Sequence, residues 1–365
     1  MARGAIETFR ALNDVNSDPE NAPRRPTLRE LAKLANCSHV TVSLALRNDP
    51  RISASTRKRI GALAKRAGYR PDPHLAGLMD YLRASRARAS QAVVAVIDFV
   101  HANYGEKGSP TTRRFLVGAG ARAKKLGFKL ERFLIGPEGL TMERLDGILK
   151  TRNIRGVLMA PATRARTKLT LDWSRLAAVE LGRSLVEPVM HRACNHQAHT
   201  MQLALDALAA RGYRRCGIYL TEGICARVDQ TWLSTYLLHW HRAHTGTLPI
   251  PPLIRPDWNE AEFTAWFRTH KPDAVVTINP PVLGWLRAAR AAIPQKTGFA
   301  LLDWSKEMGD VAGVDQNTEN VGAAALELVV AQLAQHEYGV PRNPKTVLIE
   351  GSWRDGATTR RPLSS

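Results

Sequence analysis

The strongest chemical signal in this sequence is a cluster of cationic side chains between Arg24 and Ser90. The segment contains 15 Lys and Arg but four Asp and Glu, so it carries +11 of the chain's formal net charge of +19. A single helix can carry such charge as a solvated face, but a whole small domain that carries it is typical of proteins that bind a polyanion. Because Lys and Arg neutralise phosphates, we predict that this segment binds nucleic acid.

Groups that could do covalent or metal chemistry lack the spacing that such chemistry needs. His191, His196 and His199 lie near Cys194, but their spacing is not that of a structural zinc site. The chain has no GxSxG, HExxH or P-loop motif, and no GxGxxG follows a predicted strand. We therefore predict no catalytic residues, no metal and no cofactor, and a protein that is not an enzyme.

The composition is that of a globular chain with more than one domain. Its 365 residues are 44% hydrophobic and 23% charged, which permits two or three domains. No apolar run is long enough to cross a bilayer, and the N-terminus has no apolar signal segment. The four cysteines are scattered, which favours reduced thiols in a cytoplasm. With the predicted nucleic-acid binding, we expect a cytoplasmic protein associated with the nucleoid. Residues 1–25 lack periodicity and are predicted to be a disordered tail.

Three short helices are predicted to position the basic side chains. Thr27 caps the first helix, Glu30 completes a capping box, and Asn36 ends the helix. Ser38 caps the second helix after a very short turn, and Ser53 caps the third. Three short helices with such a tight first turn form a helix-turn-helix domain.

Four motifs make this assignment specific. They are Thr27-Leu28-Arg29-Glu30-Leu31-Ala32, Cys37-Ser38-His39-Val40-Thr41-Val42-Ser43, Pro50-Arg51-Ile52-Ser53 with Thr56-Arg57, and Gly68-Tyr69-Arg70-Pro71. In this order they strongly resemble the LacI/GalR family of transcriptional regulators. The resemblance extends over about 26–362, where Asn195, Gln316 and the closing Thr358-Thr359-Arg360-Arg361-Pro362 match landmarks of the family.

The resemblance implies that helix 38–46 lies in the major groove of DNA. It assigns base reading to His39, Val40 and Leu44, and phosphate contacts to Ser38, Thr41, Ser43, Ser53 and Thr56. Hydroxyls and helix N-terminal amides suit phosphate oxygens, although the same hydroxyls would serve as helix caps without DNA. Leu44 departs from the arginine common in several members of the family, and it can contact a thymine methyl but cannot make the bidentate contact with guanine.

A hinge segment follows in the family, and here it corresponds to 72–82. Leu78 aligns with the family leucine that wedges into the minor groove at the centre of the operator and kinks the DNA. Gly77 and Leu75 depart from the family pattern at this place. The alternative is a plain linker helix between two domains.

After residue 92 the pattern changes to alternating strands and helices. Ala92 to Ile97 is an uninterrupted apolar run, as expected of a parallel strand buried on both faces. The alternation occurs in two halves, which predicts a doubly wound α/β architecture. With the resemblance, the predicted fold is an N-terminal all-α helix-turn-helix domain plus an α/β periplasmic-binding-protein-like core of two doubly wound subdomains.

The domain boundaries follow from these patterns. They are a tail over 1–25, a helix-turn-helix DNA-binding domain over 26–71, a hinge helix and linker over 72–91, and an effector-binding and dimerisation core over 92–365. In the core, the N-subdomain is predicted over about 92–192 and the C-subdomain over about 193–305, and the chain crosses back after 305.

The resemblance also implies an effector site at the carboxyl ends of the core strands. The residues assigned to it are Arg227, Asp229, Asn279 and Asp303, with Asp229 near the position of an effector-binding arginine of the family. Carboxylate and amide groups suit the hydroxyls of a sugar or related polyol. Asn279 could instead be a turn residue and Asp303 a helix cap, while Trp258 and Trp304 could stack on a sugar ring or pack in the core.

Together these features predict a sequence-specific transcriptional regulator, and specifically a repressor. It would bind a pseudo-palindromic double-stranded operator as a homodimer and would have no membrane partner. A small molecule in the core cleft, a sugar or related metabolite, would control its operator affinity. The alternative is a protein that binds a small ligand and is held on DNA non-specifically by its basic head, the segment between Arg24 and Ser90. A hydrolase on the same fold would lack a recognisable nucleophile and base.

Overall fold

The computed structural model of the protein describes residues 28–46, 49–69, 92–100, 109–136, 139–162, 167–243 and 250–362. The chain divides into two compact units, Met1–Arg88 and Ala89–Ser365. The predicted tail over 1–25, the Thr27 cap and the hinge over 72–82 with Leu78 lie outside the described residues.

The first unit contains a bundle of three short helices. They are α1 (Leu28–Ala35), α2 (His39–Leu46) and α3 (Ala54–Arg66). Leu31, Val42 and Ile60 come from one helix each, are almost completely buried, and pack in one hydrophobic core. Ser53 caps α3, because its hydroxyl oxygen accepts a hydrogen bond from the backbone N–H of Thr56 at 3.3 Å. The helix-turn-helix prediction is therefore confirmed.

The second unit alternates strands and helices. The helices described in it are α4 (Pro110–Leu126), α5 (Met142–Thr151), α6 (Gln197–Ala210), α7 (Glu222–Arg227), α8 (Thr231–Ala243), α9 (Glu260–His270), α10 (Val282–Ala288) and α11 (Thr318–Gln335). The strands are β1 (Ala92–Phe99), β2 (Phe128–Ile135), β3 (Gly156–Met159), β4 (Thr167–Lys168), β5 (Ala177–Leu181), β6 (Leu185–Glu187), β7 (His191–Asn195), β8 (Cys216–Thr221), β9 (Leu253–Arg255), β10 (Ala274–Thr277), β11 (Gly298–Leu301), β12 (Gly313–Asp315), β13 (Thr346–Ile349) and β14 (Ser352–Arg354). Within the described ranges, no helix has both the length and the apolar character needed to span a membrane.

Two six-stranded sheets form two subdomains. The sheet of the N-subdomain has the order β13-β7-β5-β3-β1-β2, and its neighbouring strands are all parallel. The sheet of the C-subdomain has the order β14-β12-β11-β10-β8-β9 and is parallel except for β14, which is antiparallel to β12. These two sheets confirm the predicted α/β core of two doubly wound subdomains.

The chain passes between the two sheets after Asn195, after Asp315 and after Ile349. Strand β7 belongs to the N-subdomain up to Asn195, slightly beyond the boundary predicted at 192. Strand β12 belongs to the C-subdomain, so the chain crosses back after Asp315 rather than after 305. The two boundary shifts have the same cause. Strands β7 and β12 are short and lie at the edges of apolar segments, so the sequence gives no separate signal for them.

Helix α11 returns to the N-subdomain and packs against α4. A Cβ atom at Gly118 of α4 would lie 1.7 Å from the carbonyl oxygen of Glu319, and one at Gly322 would lie 1.9 Å from that of Phe115. The two helices therefore touch through their backbones, which only glycine permits at these positions. Val321 and Val329 of α11 are fully buried in the core of the N-subdomain.

A short break separates helices α7 and α8. Helix α7 ends at Arg227, and α8 begins at Thr231. Asp229 and Gln230 between them have φ angles of 54° and 57°, in the left-handed region that ends a helix. This break turns the chain sharply and determines where Arg227 and Asp229 lie.

Candidate functional site

The helix predicted to read bases presents two of its three assigned side chains to solvent. Val42 and Ala45 of α2 are buried in the core of the first unit. His39 is exposed and Val40 is 52% exposed, which is unusual for a valine on a short helix. Leu44 is only half-buried, so part of its side chain remains accessible. An exposed apolar side chain beside an imidazole suits a groove that offers thymine methyls and hydrogen-bonding base edges.

The hydroxyls assigned to phosphate contacts include two helix caps. The Ser38 hydroxyl oxygen accepts a hydrogen bond from the backbone N–H of Thr41 at 3.0 Å, and the two hydroxyl oxygens lie 2.9 Å apart. Ser53 donates to the hydroxyl oxygen of Thr56 at 2.8 Å. Ser43, the fifth, is half-buried on α2. Each cap pair stands at a helix N-terminus, where free N–H groups favour an anion, so capping and phosphate contact are compatible.

Sequence reasoning missed the residue that holds the turn between α2 and α3. The carboxylate of Asp49 is buried and accepts hydrogen bonds from Nε and Nη2 of Arg51 at 3.0 and 2.8 Å. Arg57 of α3 also donates to the backbone carbonyl oxygen of Asp49 at 3.4 Å. An acidic residue within a basic segment, two positions before Arg51, is the sequence signal that could have revealed this role.

A cleft lies between the two subdomains of the second unit, with a cavity volume of about 430 Å³. Side chains that follow the carboxyl ends of strands in both sheets line it. They include Pro161, Arg183 and Asn195 from the N-subdomain sheet and Ile278, Asp303 and Gln316 from the C-subdomain sheet. This is the place where open α/β sheets bind ligands, and the volume suits a small metabolite.

Two of the four predicted effector residues, Arg227 and Asp303, line the cleft. Asn279 lies between two lining residues but does not line the cleft itself. Its backbone N–H donates to the Thr277 hydroxyl and its carbonyl accepts from Val282, so Asn279 is the turn residue of the alternative interpretation. Contact between the Asn279 side chain and an effector stays a prediction.

Asp229 does not line the cleft either, and its assignment to the effector site stays a prediction. Its carboxylate is 71% exposed and accepts a hydrogen bond of 3.1 Å from Nη2 of Arg183. The left-handed turn after α7 directs Asp229 away from the cavity, whereas Arg227 in the last turn of α7 lines it. Arg183 belongs to the N-subdomain, so this ion pair joins the two subdomains beside the cleft.

Asp303 bridges the subdomains instead of capping a helix. Its Oδ2 accepts a hydrogen bond from the Thr111 hydroxyl of α4 at 2.9 Å, and its Oδ1 lies 3.8 Å from Nη1 of Arg114. That Oδ1 is buried and has no hydrogen-bond partner within the described residues. Burial raises the pKa of Asp303, opposed by the Thr111 hydrogen bond and by the charge of Arg114.

Arg114 is a second bridge, which sequence reasoning missed. Its Nε and Nη2 donate to the Glu319 carboxylate at 2.9 and 3.0 Å, and Nη2 also donates to Asp315 at 3.0 Å. Burial opposes its positive charge, but the hydrogen bonds of Glu319 and Asp315 outweigh burial and raise the pKa of Arg114. An arginine in the first turns of α4 carries no sequence signal of this role, because its partners come from distant segments.

The other candidates from the sequence have structural partners. Trp258 packs edge-on against Tyr219, with ring centroids 4.9 Å apart, in the core of the C-subdomain. Trp304 does not line the cleft and lies beneath the Arg354 guanidinium, 5.8 Å from its ring centroid. Neither ring lines the cleft in this structure.

The histidines near Cys194 also serve as local hydrogen-bond partners. His196 caps α6, its Nδ1 accepting from the His199 backbone, and His191 Nδ1 accepts a hydrogen bond from the Lys345 N–H at 2.9 Å. The part of the chain that the structure describes holds no group of three or more His, Cys, Asp or Glu arranged to bind a metal.

Comparison with known proteins finds similarity to bacterial transcriptional regulators. The family model "Bacterial regulatory proteins, lacI family" matches residues 27–72. The probable transcriptional repressor ExuR of Bacillus subtilis is 50% identical over 46 residues, or 13% of this chain and 14% of the relative. The regulator PtxS of Pseudomonas putida is 23% identical over 336 residues, which cover 86% of this chain and 91% of the relative. The regulator CelR of Thermobifida fusca is 28% identical over 37% of each chain, so this match, like that to ExuR, spans less than two thirds of the relative.

Two solved structures share the fold of the chain. A CelR–cellobiose complex has a TM-score of 0.56 at 20% identity and covers 92% of this chain and all of the other. A lac repressor dimer bound to operator and an anti-inducer has a TM-score of 0.53 at 15% identity and covers 93% of this chain and all of the other.

The fold and the site therefore combine a helix-turn-helix domain with a periplasmic-binding-protein-like core that has a cleft. Residues 27–72 match the lacI family of bacterial regulatory proteins, and the chain as a whole is similar to the regulator PtxS.

Proposed function

We propose that this protein is a transcriptional repressor that binds a pseudo-palindromic DNA operator as a homodimer. A small molecule in the core cleft, a sugar or related metabolite, sets its affinity for that operator. The observation that carries the proposal is the combination in one chain of a lacI-family DNA-binding domain with a cleft lined by both subdomains of the core. Binding to a chromosomal operator would place the protein at the nucleoid in the cytoplasm.

The exposed face of α2 supports base reading in the major groove. The side chains proposed to read bases are His39, Val40 and Leu44, and those proposed to contact phosphates are Ser38, Thr41, Ser43, Ser53 and Thr56. The assignment to Val40 rests on its exposure, because an apolar side chain on the outer face of a helix gains by contact with a thymine methyl. We propose in addition that Leu78 wedges into the minor groove at the operator centre.

The contacts across the cleft support control by a ligand. The Thr111–Asp303 hydrogen bond and the Arg183–Asp229 ion pair both join the subdomains beside the cavity. A ligand that strengthens or replaces these contacts favours one arrangement of the subdomains over another. Differential affinity for two arrangements is what couples a ligand to operator binding. The cellobiose complex of CelR and the operator complex of the lac repressor have this fold, which supports both halves of the proposal.

DNase footprinting with the full-length protein on fragments of its own genome tests this function. We expect protected sites with approximate two-fold symmetry, and a cleft ligand found by thermal unfolding should change their occupancy. Uniform protection of all fragments would contradict sequence-specific repression and would favour a ligand-binding protein held on DNA non-specifically. Symmetric sites that no ligand of the thermal screen affects would contradict effector control alone.

A further inference from the structure

The cleft contains more positive than negative charge. The charged side chains that line it in the described part of the chain are Arg114, Arg183, Arg227 and Asp303. Arg114 is matched by Glu319 and Asp315, which accept its hydrogen bonds at 2.9 to 3.0 Å. Arg183 is paired with Asp229 at 3.1 Å. Arg114 and Arg183 therefore have acidic partners, and Arg227 is the remaining cationic side chain of the cleft.

Arg227 has no counter-charge within the described residues. Its guanidinium makes no hydrogen bond or ion pair there, the side chain is half-buried, and burial alone lowers its pKa. A helix C-terminus can favour a cation, but the last carbonyl oxygens of α7 are already used. Those of Ile224, Cys225 and Ala226 accept hydrogen bonds from the following backbone N–H groups. A partly desolvated cation without a partner is costly, so its presence in a cleft indicates that a ligand supplies the opposite charge.

Three further polar atoms of the cleft lack hydrogen-bond partners among the described residues. They are two buried acceptors, Gln197 Oε1 and Asp303 Oδ1, and one buried donor, Trp232 Nε1. Buried polar atoms are nearly always hydrogen-bonded, so these three favour a ligand with several hydroxyl groups. Hydroxyls can donate to the two oxygens and accept from the indole N–H. A cavity volume of about 430 Å³ accommodates a molecule the size of a sugar.

We infer that the effector is a polyhydroxylated carboxylate of sugar size and that Arg227 binds its carboxylate. Arginine suits this role because its planar guanidinium can donate two parallel hydrogen bonds to a carboxylate. The hydroxyl groups would be held by Gln197, Trp232 and Asp303 on the other walls. This inference rests on the proposed function, since it names the class of the molecule that the cleft would bind.

Thermal unfolding of the full-length protein with matched probes tests the inference. The pairs are D-glucose and D-glucuronate, D-galactose and D-galacturonate, and D-glucitol and D-gluconate, each at equal ionic strength. We expect at least one acid to raise the unfolding midpoint while its neutral counterpart at the same concentration does not. Calorimetry then measures the affinity of that acid for the wild type and for variants.

Arg227→Gln should weaken binding of that acid about ten- to a hundredfold, because it removes a charge-assisted contact. Arg268→Gln is the matched control, since Arg268 is exposed on α9 outside the cleft, and it should bind the acid like the wild type. Arg227→Lys keeps the charge and loses the forked geometry, so it should keep the preference for the acid with lower affinity. This variant tests the inference should Arg227→Gln fail to fold.

Three results would overturn the inference. They are a neutral sugar that binds at least as tightly as its acid, an Arg227→Gln variant that binds the acid like the wild type, and a series in which no acid shifts the midpoint. In each case symmetric footprints would still support the proposed operator binding. Absence of footprints with an intact acid preference would instead contradict the proposed function and leave the ligand class standing.

Discussion

Thr111 and Asp303 are joined across the cleft by a hydrogen bond of 2.9 Å, donated by the hydroxyl of the first to the carboxylate of the second. Thr111 begins α4 of the N-subdomain, and Asp303 follows β11 of the C-subdomain. The bond therefore reports directly on how the subdomains are arranged around the cavity. Because Oδ1 of the same carboxylate has no hydrogen-bond partner in the described structure, a ligand hydroxyl can bind it without breaking the bridge.

Removal of this bridge should cost a measurable part of the stability of the core. Thr111→Val should lower the free energy of unfolding by about 1 kcal/mol, the usual contribution of one hydrogen bond. In an Asp303→Ala background the same substitution should cost less than half as much, because its partner is already absent. Urea denaturation of the four proteins measures this coupling. An equal cost in both backgrounds would show that the hydrogen bond contributes nothing.

The recognition helix should separate base reading from positioning. His39→Ala and Val40→Ala should each relax or shift the preference at one operator position, at a cost of about 1–3 kcal/mol for a lost good contact. Thr41→Ala should instead weaken binding to all sequences alike. Leu34→Ala is the control, since Leu34 is exposed on α1, outside the recognition helix. Selection from random DNA measures the preferences, and an unchanged consensus in both base-reading variants would refute the proposed reading face.

The charge of the first unit should make DNA binding strongly dependent on salt. With ~6–10 phosphate contacts per dimer, operator affinity should fall by about 10³–10⁵ between 50 and 200 mM salt, because condensed counterions are released. Titration of labelled operator at several salt concentrations gives the slope. A slope of log affinity against log salt near zero would exclude DNA binding through this basic segment.

The proposed hinge should control bending separately from non-specific binding. Leu78→Ala should abolish DNA bending and sharply reduce operator affinity, because an apolar wedge holds the unstacked base step open. Non-specific binding through the basic head should persist, and ligand affinity in the cleft should stay as in the wild type. A circular-permutation mobility shift measures the bend. A Leu78→Ala protein that bends its operator like the wild type would identify 72–82 as a plain linker.

The stability of the core should depend on pH through Glu180. This side chain of β5 is fully buried, and burial raises its pKa to about 7, although the Leu185 N–H donates to it at 2.7 Å and Arg192 lies nearby. The folded protein therefore keeps a proton that the unfolded chain loses above its ordinary pKa of 4.5. This difference makes the free energy of unfolding decrease as the pH rises from 4.5 to about 7.

Glu180→Gln should remove this dependence. From pH 4.5 to 7, the wild type should lose up to roughly 3 kcal/mol relative to the variant. Urea denaturation of both proteins across the window measures the difference. Parallel stability curves would show that Glu180 titrates in the folded state as it does in the unfolded chain.

The sequence by itself determined the helix-turn-helix domain and the class of the core. Ser38 and Ser53 act as the caps that their spacing predicted, because a cap bonds to a backbone N–H three residues away. Strand β1 also lies where its apolar run predicted it, since a strand buried on both faces must be apolar throughout. These features depend on neighbours in the chain, so a single sequence is sufficient to find them.

Only the tertiary structure decided which groups meet in the cleft. Arg114 is paired with Asp315 and Glu319 because the chain crosses back after β12, and no local pattern reveals a partner two hundred positions away. The same holds for the left-handed turn after α7, which places Arg227 in the cleft and pairs Asp229 with Arg183. Charge pairing depends on distances in space, and these are set by the packing of whole subdomains.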